Sequence, residues 1–181
     1  MTPPPFHLRP AIASDLEAIL ALERATDLAP HWPPAAYADI LDSTDLGAPS
    51  IPRSVRNGWE TATQRCLFIA ENDDILAGFA VGLLHPAASN PIAELESVVV
   101  AANALRAGIG RALCSAVLDW CRAQGATELA LEVRAASAAA IALYTSLGFT
   151  TSASRPRYYR DPNDDALLMR LQLPKEGCVE D

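Results

Sequence analysis

The stretch from Ala93 to Val133 constrains this chain most. It reads as strand, helix, strand: apolar Ala93–Val100, a helix over Gly108–Gln124 opened by Arg106-Ala107-Gly108-Ile109-Gly110-Arg111, then Thr127–Val133. Ile109, Leu113, Val117 and Trp120 recur at helical spacing, and Gly125 stops the run. Two strands joined through one helix form a crossover unit, so they lie parallel with a right-handed connection. A second such unit does not fit. Of 181 residues only 49 follow Glu132, and they hold a short helix and a hairpin. A doubly wound parallel sheet is therefore excluded, and the sequence predicts a mixed, mostly antiparallel sheet with one parallel pair.

The remaining elements follow from local signals. Phe6–Pro10 is a short strand. Ser14-Asp15-Leu16-Glu17 has the form of a capping box, with Leu16, Ile19, Leu20 and Leu22 as the apolar side of the helix behind it. Pro33-Pro34 can start a second helix over Ala35–Leu46, because proline suits a first turn. Gly47–Arg65 reads as a long loop, an idle insertion in preference to a cover over a substrate mouth. Cys66–Glu71 and Ile75–Leu84 form a hairpin around Asn72-Asp73-Asp74. Ser137 caps a helix that ends at Leu147 before Gly148, and Phe149–Arg155 and Asp165–Leu173 close the order β-α-α-β-β-β-α-β-α-β-β. This is one domain over 1–173, followed by an acidic, frayed tail over 174–181.

Composition narrows the function. The formal charge is −8, which disfavours unspecific nucleic-acid binding and suits a cationic partner; plain solubility explains it equally. No apolar run reaches the roughly 18 residues of a membrane span, and Met1-Thr2-Pro3-Pro4-Pro5 lacks the features of a signal peptide, so a cytoplasmic protein is expected. Cys114 and Cys121 share one helix face without a CxxC or a nearby histidine pair, and His7, His31 and His85 are scattered. Neither a metal site nor a Ser-His-Asp triad is supported.

Glycines at the mouth of the Gly108–Gln124 helix let backbone approach a ligand, and helix N-terminal N–H groups point at anions. Arg106 and Arg111 add charge suited to phosphate oxygens. The same hexapeptide also reads as a glycine loop carrying two solvated arginines. A P-loop needs GK[ST], which is missing. A dinucleotide turn needs a third glycine where Leu113 stands, although Glu132 falls near the position of a ribose-binding acid. Coenzyme A is the third candidate.

Leu131-Glu132-Val133-Arg134-Ala135, then Ala139-Ala140-Ile141-Ala142-Leu143-Tyr144 with Ser146-Leu147-Gly148-Phe149, then Arg157-Tyr158-Tyr159, resembles the GNAT acetyltransferases, and among them the ribosomal-protein-alanine N-acetyltransferases of the RimI type. The resemblance is dense over Glu94–Arg170. It implies a seven-stranded mixed sheet with about four helices, its central parallel strands splayed to admit acetyl-CoA. It implies that the backbone of Val98, Val99 and Val100 pairs with pantetheine. Arg106, Ala107, Gly108, Ile109, Gly110 and Arg111 would wrap the pyrophosphate. Glu132 would be the general base and Tyr144 the general acid. The acceptor would be a primary amine, above all the alanine N-terminus of a basic ribosomal protein, with no metal, nucleic acid or membrane involved; a small amine is the alternative acceptor, and a non-catalytic acyl-CoA-binding domain the alternative role. Two positions depart from the pattern: Leu105 stands where Gln or Arg is usual, and Ser137 where an Asn amide usually reaches the cofactor.

The chemistry is sound on its own terms. An α-ammonium titrates near 7.7–8.0 and attacks only when neutral. A strand-end carboxylate can take its proton and a phenol can protonate a leaving thiolate. Glu96 is a second candidate base, expected on the same strand face as Glu94, Val98 and Val100. Structural roles compete: Glu132 could pair with Arg134 or Arg111, and Tyr144 could be core.

Overall fold

The computed structural model describes residues 6–43, 63–85 and 90–174. One seven-stranded sheet runs through them in the order β1-β2-β3-β4-β5-β7-β6. Its strands are β1 (His7–Pro10), β2 (Gln64–Asn72), β3 (Ile75–His85), β4 (Ile92–Val100), β5 (Glu128–Arg134), β6 (Thr150–Arg160) and β7 (Asn163–Gln172). The helices are α1 (Leu16–Arg24), α2 (Pro34–Ser43), α3 (Ile109–Ala123) and α4 (Ala138–Ser146). Only β4 and β5 are parallel, as the crossover predicts; every other pair is antiparallel.

The sheet separates two apolar cores. On one face α3 contributes Ile109, Leu113, Val117 and Cys121, and α4 packs beside it through Leu143 and Leu147. On the other, α1 and α2 bring Ile19, Tyr37 and Ile40 against Leu67, Phe79 and Val81. The close seating of α3 depends on Gly82, where an added Cβ would stand 2.7 Å from Val117 Cγ1 and 2.9 Å from Cys66 Sγ. Cys114 and Cys121 are buried together on α3 as their spacing predicts. Burial pushes both thiols up, each to about 12.

Several local expectations are corrected. The Ser14–Glu17 box does not form. The Ile12 N–H is taken by the Asp15 carboxylate at 2.8 Å, and that carboxylate is also held by Arg9. Ser137 stands at the helix N-cap, but its hydroxyl makes no capping bond. Gln64 and Arg65 belong to β2 rather than to a loop. The rest of the expected Gly47–Arg65 loop, apart from Thr63, lies outside the described residues, as does the tail beyond Pro174. A buried acid that the pattern gave no sign of, Glu23, ties α1 to α2: its Oε1 accepts the Tyr37 hydroxyl at 2.6 Å and the Trp32 N–H at 3.0 Å.

Two irregularities shape the centre of the sheet. The β4–β5 ladder pairs only Ile92 with Glu128, Ala93 with Leu129 and Glu94 with Ala130, after which the strands separate. In the β3–β4 ladder Val81 pairs with Ser97 and Gly82 with Leu95, so Glu96 is an extra residue on β4. That bulge switches side-chain faces. Glu94 and Glu96 share the α2 side, but Val98 and Val100 pack on the α3 side, so the expected common face of all four is not observed.

Candidate active site

Beyond Glu94 the β5-facing edge of β4 carries no ladder partner, while its other edge stays paired to β3 through Val98–Ala80, Val99–Phe79 and Val100–Gly78. The Ala101 N–H bonds to the Ala77 carbonyl on β3, so by alternation Val99 also turns its backbone groups to β3, and the splay leaves the backbone donors and acceptors of Val98 and Val100 facing the open edge. An extended amide-bearing ligand could complete that row as a strand would.

The chain leaves β4 through a short 3-10 turn, Ala102–Ala104, and enters α3 with Arg106 at φ 62° and Gly108 at φ 86°. Only glycine takes that second conformation without cost. The first intrahelical bond is from the Ala112 N–H to the Gly108 carbonyl. Among the described residues the N–H groups of Arg106, Gly108, Ile109, Gly110 and Arg111 find no acceptor, while Ala107 closes the turn that precedes the helix. A fan of free donors at the positive end of a fifteen-residue helix is an anion cradle by construction. The donor set fits a pyrophosphate. Arg111 is fixed beside it by a 2.6 Å bond to the Ser146 hydroxyl, and Leu143 of α4 lies 3.4 Å from where a Gly110 Cβ would stand. These contacts bind the cradle to α4. Leu105 is exposed and extended at the cradle's rim.

Tyr144 projects from α4 against Phe149, ring centroids 5.9 Å apart. Burial pushes its phenol pKa up, with smaller contributions from Cys114 and Tyr159. It is therefore a fully protonated donor at neutral pH.

Glu132 sits on β5 on the face opposite Leu131 and Val133, exposed. The structure does not pair it with Arg134 or Arg111. Its partner is Arg155 of β6, Nη1 to Oε1 at 2.5 Å. The phenol of Tyr158 is raised chiefly by hydrogen bonding to the same carboxylate. Arg134 instead stacks over the Tyr159 ring at 4.0 Å and donates to the carbonyls of Pro162 and Asp161. Tyr159 stands within electrostatic reach of both Glu132 and Tyr144. No direct contact joins those two side chains, which approach the splay from opposite faces of the sheet. Sequence reasoning did not find Arg155 and Tyr158 as neighbours of Glu132. Strand alternation places Arg155 on one face of β6, but the register that carries it to Glu132 depends on a bulge with no sequence signature.

Glu96, the other candidate base, is held in a two-pronged bond by Arg65, at 2.8 and 3.1 Å. The pair forms the floor of a cavity of about 450 Å3 walled by Trp32, Pro33, Ala36 and Ile40. This cavity opens on the same sheet face as Glu132. No group of three or more metal-ligating side chains occurs among the described residues, and no described helix is long and apolar enough to cross a membrane.

A splayed parallel pair, a glycine cradle at the following helix and a phenol beside it define a known class of fold. The sequence profile of the acetyltransferase (GNAT) family matches residues 27–149, and the chain belongs to that family. Among its relatives, the [ribosomal protein bS18]-alanine N-acetyltransferase of Escherichia coli K12 is 43% identical over 83 residues; the match covers 45% of this chain and 56% of that protein. The protein of the same name from Salmonella typhimurium LT2 is 38% identical over 145 residues, covering 74% of this chain and 95% of its own length. The crystal structure of the ribosomal-protein-S18-alanine N-acetyltransferase from Escherichia coli superposes with a TM-score of 0.69 at 28% identity, over 95% of this chain and 97% of that one.

Proposed function

We propose that this protein transfers an acetyl group from acetyl-CoA to the α-amine of an N-terminal alanine on a ribosomal protein. The observation that carries the reading is the splay between β4 and β5, with the donor cradle and Tyr144 on one side and Glu132 on the other. The names of the similar proteins support the choice of acceptor.

Acetyl-CoA supplies an acetyl thioester activated toward amines. The backbone of Val98 and Val100 would pair with its pantetheine arm, and the N–H groups of Arg106 and Gly108–Arg111 would hold its pyrophosphate. Ser137, at the N-cap of α4 with no capping duty, has a hydroxyl available to the same ligand. Glu132 accepts a proton from the acceptor ammonium, directly or through a water. The freed nitrogen forms the C–N bond as the C–S bond breaks, and it releases its surplus proton to solvent to become the amide. Tyr144 gives its proton to the departing sulfur and regains one from solvent. Leu105 contributes no polar contact at the cradle, so binding there rests on backbone.

Acetyl-CoA turnover against three acceptors tests the reading: an alanine-starting basic peptide, a lysine peptide with a blocked N-terminus, and spermidine. The alanine peptide should be acetylated at its α-amine with the highest kcat/KM. Preference for spermidine would assign a small-amine acetyltransferase. Binding of acetyl-CoA without turnover on any acceptor would refute the enzymatic reading.

A further inference from the structure

Arg155 reaches Glu132 across an intervening strand. Glu132 is on β5, Arg155 on β6, and β7 lies between them. Two strand spacings amount to roughly 9.6 Å, yet the guanidinium and carboxylate are in contact at 2.5 Å. The backbone of β6 is deformed where this happens. Arg155 pairs with Ala166 and the next pair is Tyr159 with Asp164, so Pro156, Arg157 and Tyr158 stand opposite Asp165 alone. Arg157 takes φ 52°, a left-handed conformation that a non-glycine residue adopts only when its surroundings enforce it. Here the enforcing contact is a 2.7 Å bond from its N–H to the Asp165 carboxylate. The deformation brings Tyr158 beside Arg155, whose guanidinium lies 5.5 Å from the phenol ring centre, and within electrostatic reach of the same carboxylate.

This arrangement matters for an acceptor that arrives as a cation. A bare carboxylate would bind an α-ammonium as an ion pair, and the pairing would raise the ammonium's pKa. The amine would then be held tightly in the form that cannot attack. A guanidinium already on the carboxylate balances its charge and removes that trap. The groups facing Glu132 are Arg155, Tyr158 and Tyr159 from β6, Arg134 two residues along β5, and from β7 its apolar ladder partner Leu168; the same sheet face also carries Arg170 of β7, paired with Glu128, and across the splay Glu94 and Glu96 of β4, paired with His85 and Arg65. Arg134 is committed to the Tyr159 ring and two carbonyls. Arg155 is therefore the cation in contact with the carboxylate.

We infer that Arg155 is a positioning residue that neutralises Glu132, so that the acceptor amine binds beside the base without being locked as its ammonium. The inference rests on the reading of Glu132 as the base.

The test is kcat and KM against pH for the full chain with acetyl-CoA and an alanine-starting peptide, in the wild type, Arg155→Met and Arg155→Lys. In Arg155→Met the acid limb of kcat should move up by about one pH unit. Near pH 7 both kcat and the peptide KM should then fall by about tenfold, with the KM for acetyl-CoA unchanged. Arg155→Lys, which restores the charge, should recover most of the difference. A second measurement does not depend on turnover. With CoA bound, the affinity for the peptide relative to its des-amino analogue should rise about tenfold in Arg155→Met. A peptide KM that rises, a limb that stays in place, or an unchanged affinity ratio overturns the role of Arg155 alone. A wild type inactive on the peptide, or a Glu132→Gln enzyme with undiminished kcat, overturns the reading of Glu132 and this inference with it.

Discussion

Replacing Tyr144 by Phe separates the proposed chemistry from packing, because the ring packs in the core and the hydroxyl is the proposed proton donor. The ring packs on Phe149 and belongs to the core shared by α3 and α4. Among the described residues the hydroxyl has no hydrogen-bond partner, so its removal breaks no bond within the protein. The stability loss should stay below about 1 kcal/mol, the net worth of one ordinary hydrogen bond. The loss in turnover should be far larger. A positioned acid contributes ~10²–10⁴-fold, and the lower end corresponds to about 2.7 kcal/mol of barrier. We expect kcat to fall about 10²-fold while the KM for acetyl-CoA changes by less than about threefold, since the cradle is backbone and stays in place. Burial holds the phenol's pKa above its ordinary value, so the wild type should show no alkaline loss of kcat from this group below pH 10. Steady-state kinetics and thermal melts on the same two preparations decide it. A variant that melts several degrees lower but turns over normally would return Tyr144 to a purely structural role and refute the assignment.

Glu132→Gln should lower kcat by roughly 10²–10³-fold at neutral pH, with partial recovery at pH 9 where more of the amine is already neutral; Glu96→Gln, which only loosens the pair with Arg65, should cost far less, and the reverse order would make Glu96 the base. Gly82→Ala drives a Cβ into Val117 and Cys66, so a loss of about 1–3 kcal/mol is expected in denaturant melts, and an unchanged midpoint would show that α3 is not seated by this contact. Stability should decline as pH rises above 9, because the buried thiols of Cys114 and Cys121 keep their protons to about 12 in the folded chain while the unfolded chain releases them earlier. Each contributes a slope of about 1.4 kcal/mol per pH unit in that window, so Cys114→Ala should flatten the decline by about that amount, and an unaltered slope would contradict the burial.

The crossover unit was legible because its signals are local and redundant: helical spacing on α3, a glycine at each end, and an apolar strand on either side. The seven strands and four helices follow the same way. What stayed hidden depends on registers and partners distant in sequence. Glu23 looked like any polar position of α1, and only the arrival of Tyr37 and Trp32 makes it a buried acceptor. Strand alternation predicted a common face for Glu94, Glu96, Val98 and Val100, and it failed because one added residue reverses the count. Ser137 and Ser14 have the right chemistry for caps, yet a cap also needs backbone angles that bring the hydroxyl to a free N–H, and composition does not encode those. The neighbours of Glu132 were hidden for the same reason as the bulge in β6, since three residues set against one leave no periodic trace.

The extra residue at Glu96 connects these irregularities to the site. A bulge bends its strand and sharpens the local twist, and here it falls two residues beyond the last β4–β5 pair, Glu94 with Ala130. The ladder ends where the strand turns. From that point β4 keeps its hydrogen bonds to β3 but presents its other edge unpaired, which supplies the open backbone of Val98 and Val100. The same change of count swings Val98 and Val100 to the α3 side, where they pack against the core that holds the cradle and Tyr144. Glu96 itself stays on the far side with Arg65 and the α2 cavity. A single added residue thus opens the gap between the strands and places the anion cradle on one side of it. The carboxylate of Glu132 and the cavity remain on the other, so a donor held at the cradle and an acceptor held at Glu132, as proposed, could meet only at the splay.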